Sequence, residues 1–112
     1  MRLLAARLRM VQRLRQEGRL DDPRLLRAFL TVPRHRFVPP SLALASYGAD
    51  AVELFDDQTL TCPDFVALMV SLLEVRRGDR VLEVGTGTGF QAALLARLGA
   101  QVTTIEVRPS LH

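Results

Sequence analysis

Apolar side chains at Leu3, Leu4, Leu8, Val11 and Leu14 recur three to four residues apart. That spacing predicts an amphipathic helix over residues 3–16, with Gly18 as its stop. Asp21 or Asp22 before Pro23 reads as a cap and a first-turn proline, opening a second helix to about Leu30. Pro33 ends it, because the residue before proline avoids helical geometry. PRHRFVPP then reads as an extended connector anchored by Phe37 and Val38, and SLALASYGADAVELFDD as a short helix followed by a loop. Thr61 is a candidate cap with Pro63 in the first turn of a third helix, running to about Glu74. That helix is expected to bury Phe65, Val66, Met69, Leu72 and Leu73 on one face. Residues 76–79, RRGD, form a turn. From Arg80 the alternation changes: RVLEV predicts a strand, GTGTG a turn, FQAALLARL a helix closed by a left-handed Gly99, and QVTTIEV a second strand. These pieces make one βαβ unit, so the expected fold class is α/β with an N-terminal helical extension.

The turn VLEVGTGTGFQ limits the ligand. Its glycines stand at 85, 87 and 89, whereas the dinucleotide fingerprint has its third glycine where this chain has Phe90. A phosphate-cradling P-loop requires a lysine, and all 15 basic residues of the chain are arginine. Glu83, at the carboxyl end of the strand, would repel a pyrophosphate but suits a ligand carrying an ammonium and a sulfonium. Glu106 closes the second strand, near the spacing at which an acid meets ribose hydroxyls in nucleotide-binding βαβ units. The competing reading is a tight strand-to-helix turn that binds nothing.

Glu83, the three glycines and Glu106 together resemble motif I and the following acidic position of class I S-adenosylmethionine-dependent methyltransferases. A narrower resemblance lies upstream. LRQEGRLDDPRLLRAFLTVPRHRFVPP, DDQTLTCPDFVALM and VLEVGTGTGFQAALLA are similar, in order and spacing, to protein-L-isoaspartate O-methyltransferases. The likeness runs from about residue 10 to the end. It implies the first βαβ unit of a Rossmann-like class I methyltransferase sheet, with residues 1–57 as helical extension and connector and 58–112 as the start of the cofactor-binding domain. It also implies S-adenosyl-L-methionine as cofactor, isoaspartyl-containing proteins or peptides as substrate, and methyl transfer to their free carboxyl groups, a protein-repair reaction. Thr61 stands where the family has its active-site serine, keeping the hydroxyl on a β-branched side chain. Thr59, Glu83, Gly85, Thr86, Gly87, Thr88, Gly89, Gln91 and Glu106 fall on the cofactor side, and Gln58 with Thr59 on the side that positions the acceptor. A carboxyl with an unperturbed pKa of about 3.3–3.9 is already an anion at neutral pH. The reaction therefore needs orientation and hydrogen-bond donors rather than a general base.

Composition adds limits. A chain of 112 residues is about one domain, and its apolar share is that of a globular protein. Arginine interrupts every apolar run before a bilayer could be spanned, and no secretory pattern is present, so no membrane partner is expected. Ten arginines precede Phe37, and no acid appears before Glu17. A transit peptide or a nucleic-acid patch would share that bias. A solvated basic helix face is the simpler account, and nucleic acid is not the expected partner at a net charge of +3. Cys62 is the single cysteine and reads as incidental; His35 reads as a surface or packing residue. No disulfide or metal site is expected, and a reducing cytoplasm is the expected location.

Two departures from the family stand out. The loop before Gln58 carries Glu53, Phe55 and Asp57 where the family has proline and glycines, and Asp56 and Asp57 put negative charge beside a carboxylate site. The chain also stops just past its second strand, so a truncated domain is expected, with its C-terminal half as a candidate partner and the activity of the isolated chain in question. A methyltransferase for another substrate and a non-catalytic interaction module are the alternatives.

Overall fold

The structure is a computed structural model that describes residues 2–54 and 58–107. The altered positions Phe55, Asp56 and Asp57 lie outside the described residues. The first helix, α1, spans Arg2–Gln16 and buries Ala6, Met10, Val11 and Leu14. Gly18 ends it as expected, with φ +72°. Helix α2 spans Pro23–Thr31, and of the two candidate caps Asp22 serves: its carboxylate accepts from the Arg24 N–H at 2.9 Å.

The connector is tighter than expected. Arg34–Phe37 and Pro40–Leu42 form short 3₁₀ turns, and a third follows at Ala45–Tyr47. Prolines 33, 39 and 40 restrict the chain here, but a single 3₁₀ turn fits between such restrictions as readily as an extended run. Next comes a small hairpin not anticipated from sequence. Its strands β1 (Val52–Glu53) and β2 (Thr59–Leu60) pair antiparallel, with Val52 opposite Leu60. Strands of two residues carry too little alternation to be read from periodicity.

Helix α3 spans Pro63–Leu73, and its cap position is Cys62, one residue later than expected. Its buried face is also rotated. Pro63, Val66, Ala67 and Val70 are buried, whereas Phe65, Leu72 and Leu73 are exposed and Met69 lies between. The helix is apolar nearly all round, so its sequence alone does not say which stripe faces the core.

The βαβ unit follows as expected: β3 (Arg80–Val84), α4 (Phe90–Arg97) and β4 (Gln101–Ile105). The two strands are parallel, with Glu83 opposite Thr104 and Val84 opposite Ile105. Gly99 takes φ +95° against the Arg77 backbone, where an added Cβ would lie 3.1 Å from the Arg77 Cα. Glu106 falls one residue beyond β4 rather than within it.

One apolar core joins the helical lead-in to the βαβ unit. Phe90, from α4, meets Phe29 of α2 and Phe37 edge-on, with ring centroids 6.0 and 5.6 Å apart. Arginines fasten the seam. Arg24 donates to the Val75 carbonyl at 3.1 Å and to the Leu98 carbonyl at 2.7 Å. Arg13 reaches both Asp64 oxygens at 2.9 and 3.0 Å, tying α1 to the first turn of α3. Four of the ten early arginines, Arg7, Arg13, Arg24 and Arg34, thus make internal contacts, while Arg2, Arg9, Arg15, Arg19, Arg27 and Arg36 stay exposed to solvent as expected. Leu82, Val84 and Ile105, which share one face of the parallel pair, remain exposed. No described helix is long and apolar enough to cross a membrane.

Candidate functional site

Two short segments face each other across a cleft of about 490 Å³. The first is the glycine turn between β3 and α4. Gly85, Gly87 and Gly89 all take positive φ, at +89°, +56° and +92°, a region that L side chains enter only at a cost. These angles let the chain reverse while its amides stay bonded: the Gly85 and Thr86 N–H groups both donate to the Ile105 carbonyl, at 2.7 and 3.2 Å. The Gly87 N–H donates to Glu106 Oε1 at 2.9 Å. An added Cβ at Gly85 or Gly87 would meet nothing within 4 Å, so backbone conformation rather than crowding selects glycine there.

Glu83 is buried at the base of this turn, and its carboxylate accepts from the Thr104 hydroxyl at 2.8 Å and from the Gln91 amide at 3.3 Å. Thr86 and Thr104 hydroxyls are also bonded. Thr104 has one proton and gives it to the carboxylate, so Thr86 is the donor in that pair. A relay Thr86 to Thr104 to Glu83 thus fixes the first acid, while the turn amide of Gly87 fixes the second.

The facing segment is Gln58–Thr61, which runs through β2 to the start of α3. Gln58, Thr59 and Thr61 line the cleft with hydroxyl and amide groups, and Leu60, Val66, Met69 and Phe90 supply apolar surface. All the residues singled out from sequence line this cleft except Gly89, which caps α4 beneath it and packs toward Phe37. His35 lies elsewhere, its Nδ1 2.9 Å from the Tyr47 hydroxyl. Burial, with Arg7 and Arg36 nearby, lowers its pKa.

Thr104 was not singled out from sequence, although register alone would have found it: it is the β4 residue opposite Glu83. The floor residues Leu60, Val66, Met69 and Val107 carry no signal beyond apolarity.

No arginine or histidine lines the cleft among the described residues, and two carboxylates do. That donor set fits a ligand with cationic groups and hydroxyls and opposes a phosphate chain. The fold and the cleft together define an α/β unit whose glycine turn presents two carboxylates to a cleft, a lining compatible with a cationic, hydroxyl-bearing ligand.

Comparison with known proteins narrows this. The model of the protein-L-isoaspartate(D-aspartate) O-methyltransferase family matches residues 5–112, and the chain belongs to that family. A protein-L-isoaspartate O-methyltransferase of Methanoregula boonei is 50% identical over 87 residues, covering 78% of this chain and 40% of the relative. A solved protein-L-isoaspartate O-methyltransferase superposes with a TM-score of 0.79 at 28% identity, covering 94% of this chain and 35% of its own. A Plasmodium falciparum β-aspartate methyltransferase, solved with S-adenosyl-L-homocysteine, shares the fold with a TM-score of 0.80 at 22% identity, over 91% of this chain and 49% of its own. The chain spans less than half the length of each of these proteins.

Proposed function

We propose that this chain contributes the cofactor turn and one acceptor wall of an S-adenosylmethionine-dependent enzyme that methylates the free carboxyl of L-isoaspartyl residues in damaged proteins. The observation that carries the reading is the opposition, across one cleft, of a two-carboxylate glycine turn and a hydroxyl-and-amide segment. Family membership and the solved neighbours support it.

When bound, S-adenosylmethionine supplies an electrophilic methyl group on a sulfonium. Glu83 and Glu106, each fixed by hydrogen bonds, would hold the cationic and hydroxyl-bearing parts of that cofactor. Gly85, Thr86, Gly87, Thr88 and Gln91 would shape its seat, with Gly89 keeping the turn closed onto α4. Thr61 and Gln58, with Thr59 between them, would offer donors to the acceptor carboxylate and hold one oxygen in line with the methyl group. No residue need remove a proton, because the acceptor is already an anion at neutral pH.

In this reading residues 1–57 serve as the helical extension and 58–112 open a Rossmann-like class I methyltransferase sheet. The uncovered Leu82, Val84 and Ile105 face supports a further part of such a domain as partner, since parallel sheets are normally covered on both sides. A cytoplasmic location follows from the repair role, and neither membrane nor nucleic acid enters it.

The test is transfer of an isotopic methyl group to an isoaspartyl peptide. It is run on the chain alone and on the chain joined to the remaining length of the Methanoregula boonei relative. Carboxyl methylation in the joined protein is the expected result. Thr61→Ala should lower its turnover about 10- to 100-fold, the effect of one lost hydrogen bond to a charged group. Cofactor binding without isoaspartyl methylation in either form would sink the substrate assignment, and turnover of another acceptor would replace it.

A further inference from the structure

The third residue of Val32-Pro33-Arg34 is fully buried. Val32 caps α2, Pro33 ends it, and the 3₁₀ turn that follows directs the Arg34 side chain inward. There its Nε donates to the Ser46 carbonyl and its Nη2 to the Thr61 carbonyl. Its guanidinium carbon lies 4.7 Å from the Phe90 ring centroid, a cation–π distance. Arg34 therefore touches three pieces at once: the Ala45–Tyr47 turn, the residue that ends the acceptor wall, and the first residue of the helix that follows the glycine turn.

Stability does not explain this arrangement well. The cation has no carboxylate partner among the described residues, and Nη1 is buried without a hydrogen bond. Burial pulls its pKa down to about 10, so it still carries its charge at neutral pH. A buried charge with an unused donor is a weak stabiliser compared with an apolar side chain of similar volume. Its geometry, in contrast, is specific: the rigid fork of the guanidinium fixes the Thr61 carbonyl at a set distance and angle from Ser46 and Phe90. Thr61 itself has little else to hold it, since β2 ends at Leu60 and the helix cap begins at Cys62.

We propose that Arg34 is a positioning residue of the methyl-transfer site, which acts through the Thr61 carbonyl and the Phe90 ring to hold the Gln58–Thr61 wall at its working distance from the glycine turn. The inference deepens the methyltransferase reading and rests on it for its catalytic consequence.

Hydrogen exchange on the 112-residue chain tests the structural half without any activity. In Arg34→Met, which keeps much of the volume but removes every donor, amides of segment 58–63 should exchange at least about 10-fold faster, with segment 90–97 changed less than about 3-fold. Arg34→Lys keeps the charge and one set of donors, and should fall between the two; it also serves if the Met variant does not fold. In the form of the protein that methylates isoaspartyl peptide, Arg34→Met should lower kcat about 10-fold or more while the KM for cofactor moves less than about 3-fold. Unchanged exchange at 58–63, or equal acceleration of both segments, overturns the positioning role. So does a fall in cofactor affinity with kcat intact. Absence of methylation by the unmutated protein counts against the substrate assignment alone and leaves the exchange result standing.

Discussion

The two walls of the cleft are built by different means. The glycine wall is local: residues 83–91 and the end of the next strand make it, and its bonds run from its own amides to Ile105 and Glu106. The opposite wall, Gln58–Thr61, is assembled from a distance. Its hairpin has only two residues per strand, and Arg34 reaches it across 27 positions of sequence. A wall made of backbone conformation should fail through backbone substitutions. A wall hung from a buried side chain should lose its position when that side chain is changed, more than when its own side chains are.

The largest expected effect comes from removing what both walls share. Phe90→Ala deletes a buried ring that meets Phe29, Phe37 and the Arg34 guanidinium. It should cost about 3–5 kcal/mol, read as a lower urea midpoint, and a loss under 1 kcal/mol would mean the walls are not joined through this ring. A smaller effect isolates the glycine wall. Gly85→Ala, at φ +89° with open space around the added methyl, should cost about 1–2 kcal/mol through conformation alone. A neutral result would show that the turn relaxes to ordinary angles without loss.

The smallest effect concerns the tie between α1 and α3. Burial raises the Asp64 pKa, but hydrogen bonding and charge from Arg13 outweigh it, so the carboxyl titrates below its usual value of 3.8. Its folded pKa being depressed, the stabilisation is present above the unfolded value and lost as pH falls through the folded one. Asp64→Asn should therefore flatten the acid limb of a stability–pH curve below about pH 4 and change little there beyond a few tenths of a kcal/mol per unit. An acid limb identical to that of the unmutated chain would exclude this pair as a contributor.

What could be read from sequence follows the same division. The βαβ unit, the left-handed Gly99, the Asp22 cap and the residues of the glycine wall are set by neighbours within a few positions, and local rules found them. The α3 face, the 3₁₀ turns after Pro33 and the β1–β2 hairpin depend on what packs against them. A helix as nearly apolar as VALMVSLL offers several equivalent stripes, so its sequence does not show that Leu72 and Leu73 are exposed. Arg34 was visible as part of a family signature, yet nothing local says that this arginine turns inward while Arg36, two residues on, stays exposed. Thr104 was hidden for a milder reason: its role needed the strand register, and the register needed the fold.

The arginine contacts also set how the protein responds to ionic strength. Arg24 and Arg34 grip backbone carbonyls, which carry no net charge for added ions to shield. Among the described residues, the Arg13–Asp64 pair is the arginine contact between opposite charges that ties α1 and α2 to the rest of the chain, and it is the one that dissolved salt weakens. The helical lead-in should thus stay docked on the βαβ unit in molar sodium chloride, giving a seam rich in cations that behaves as though it were uncharged.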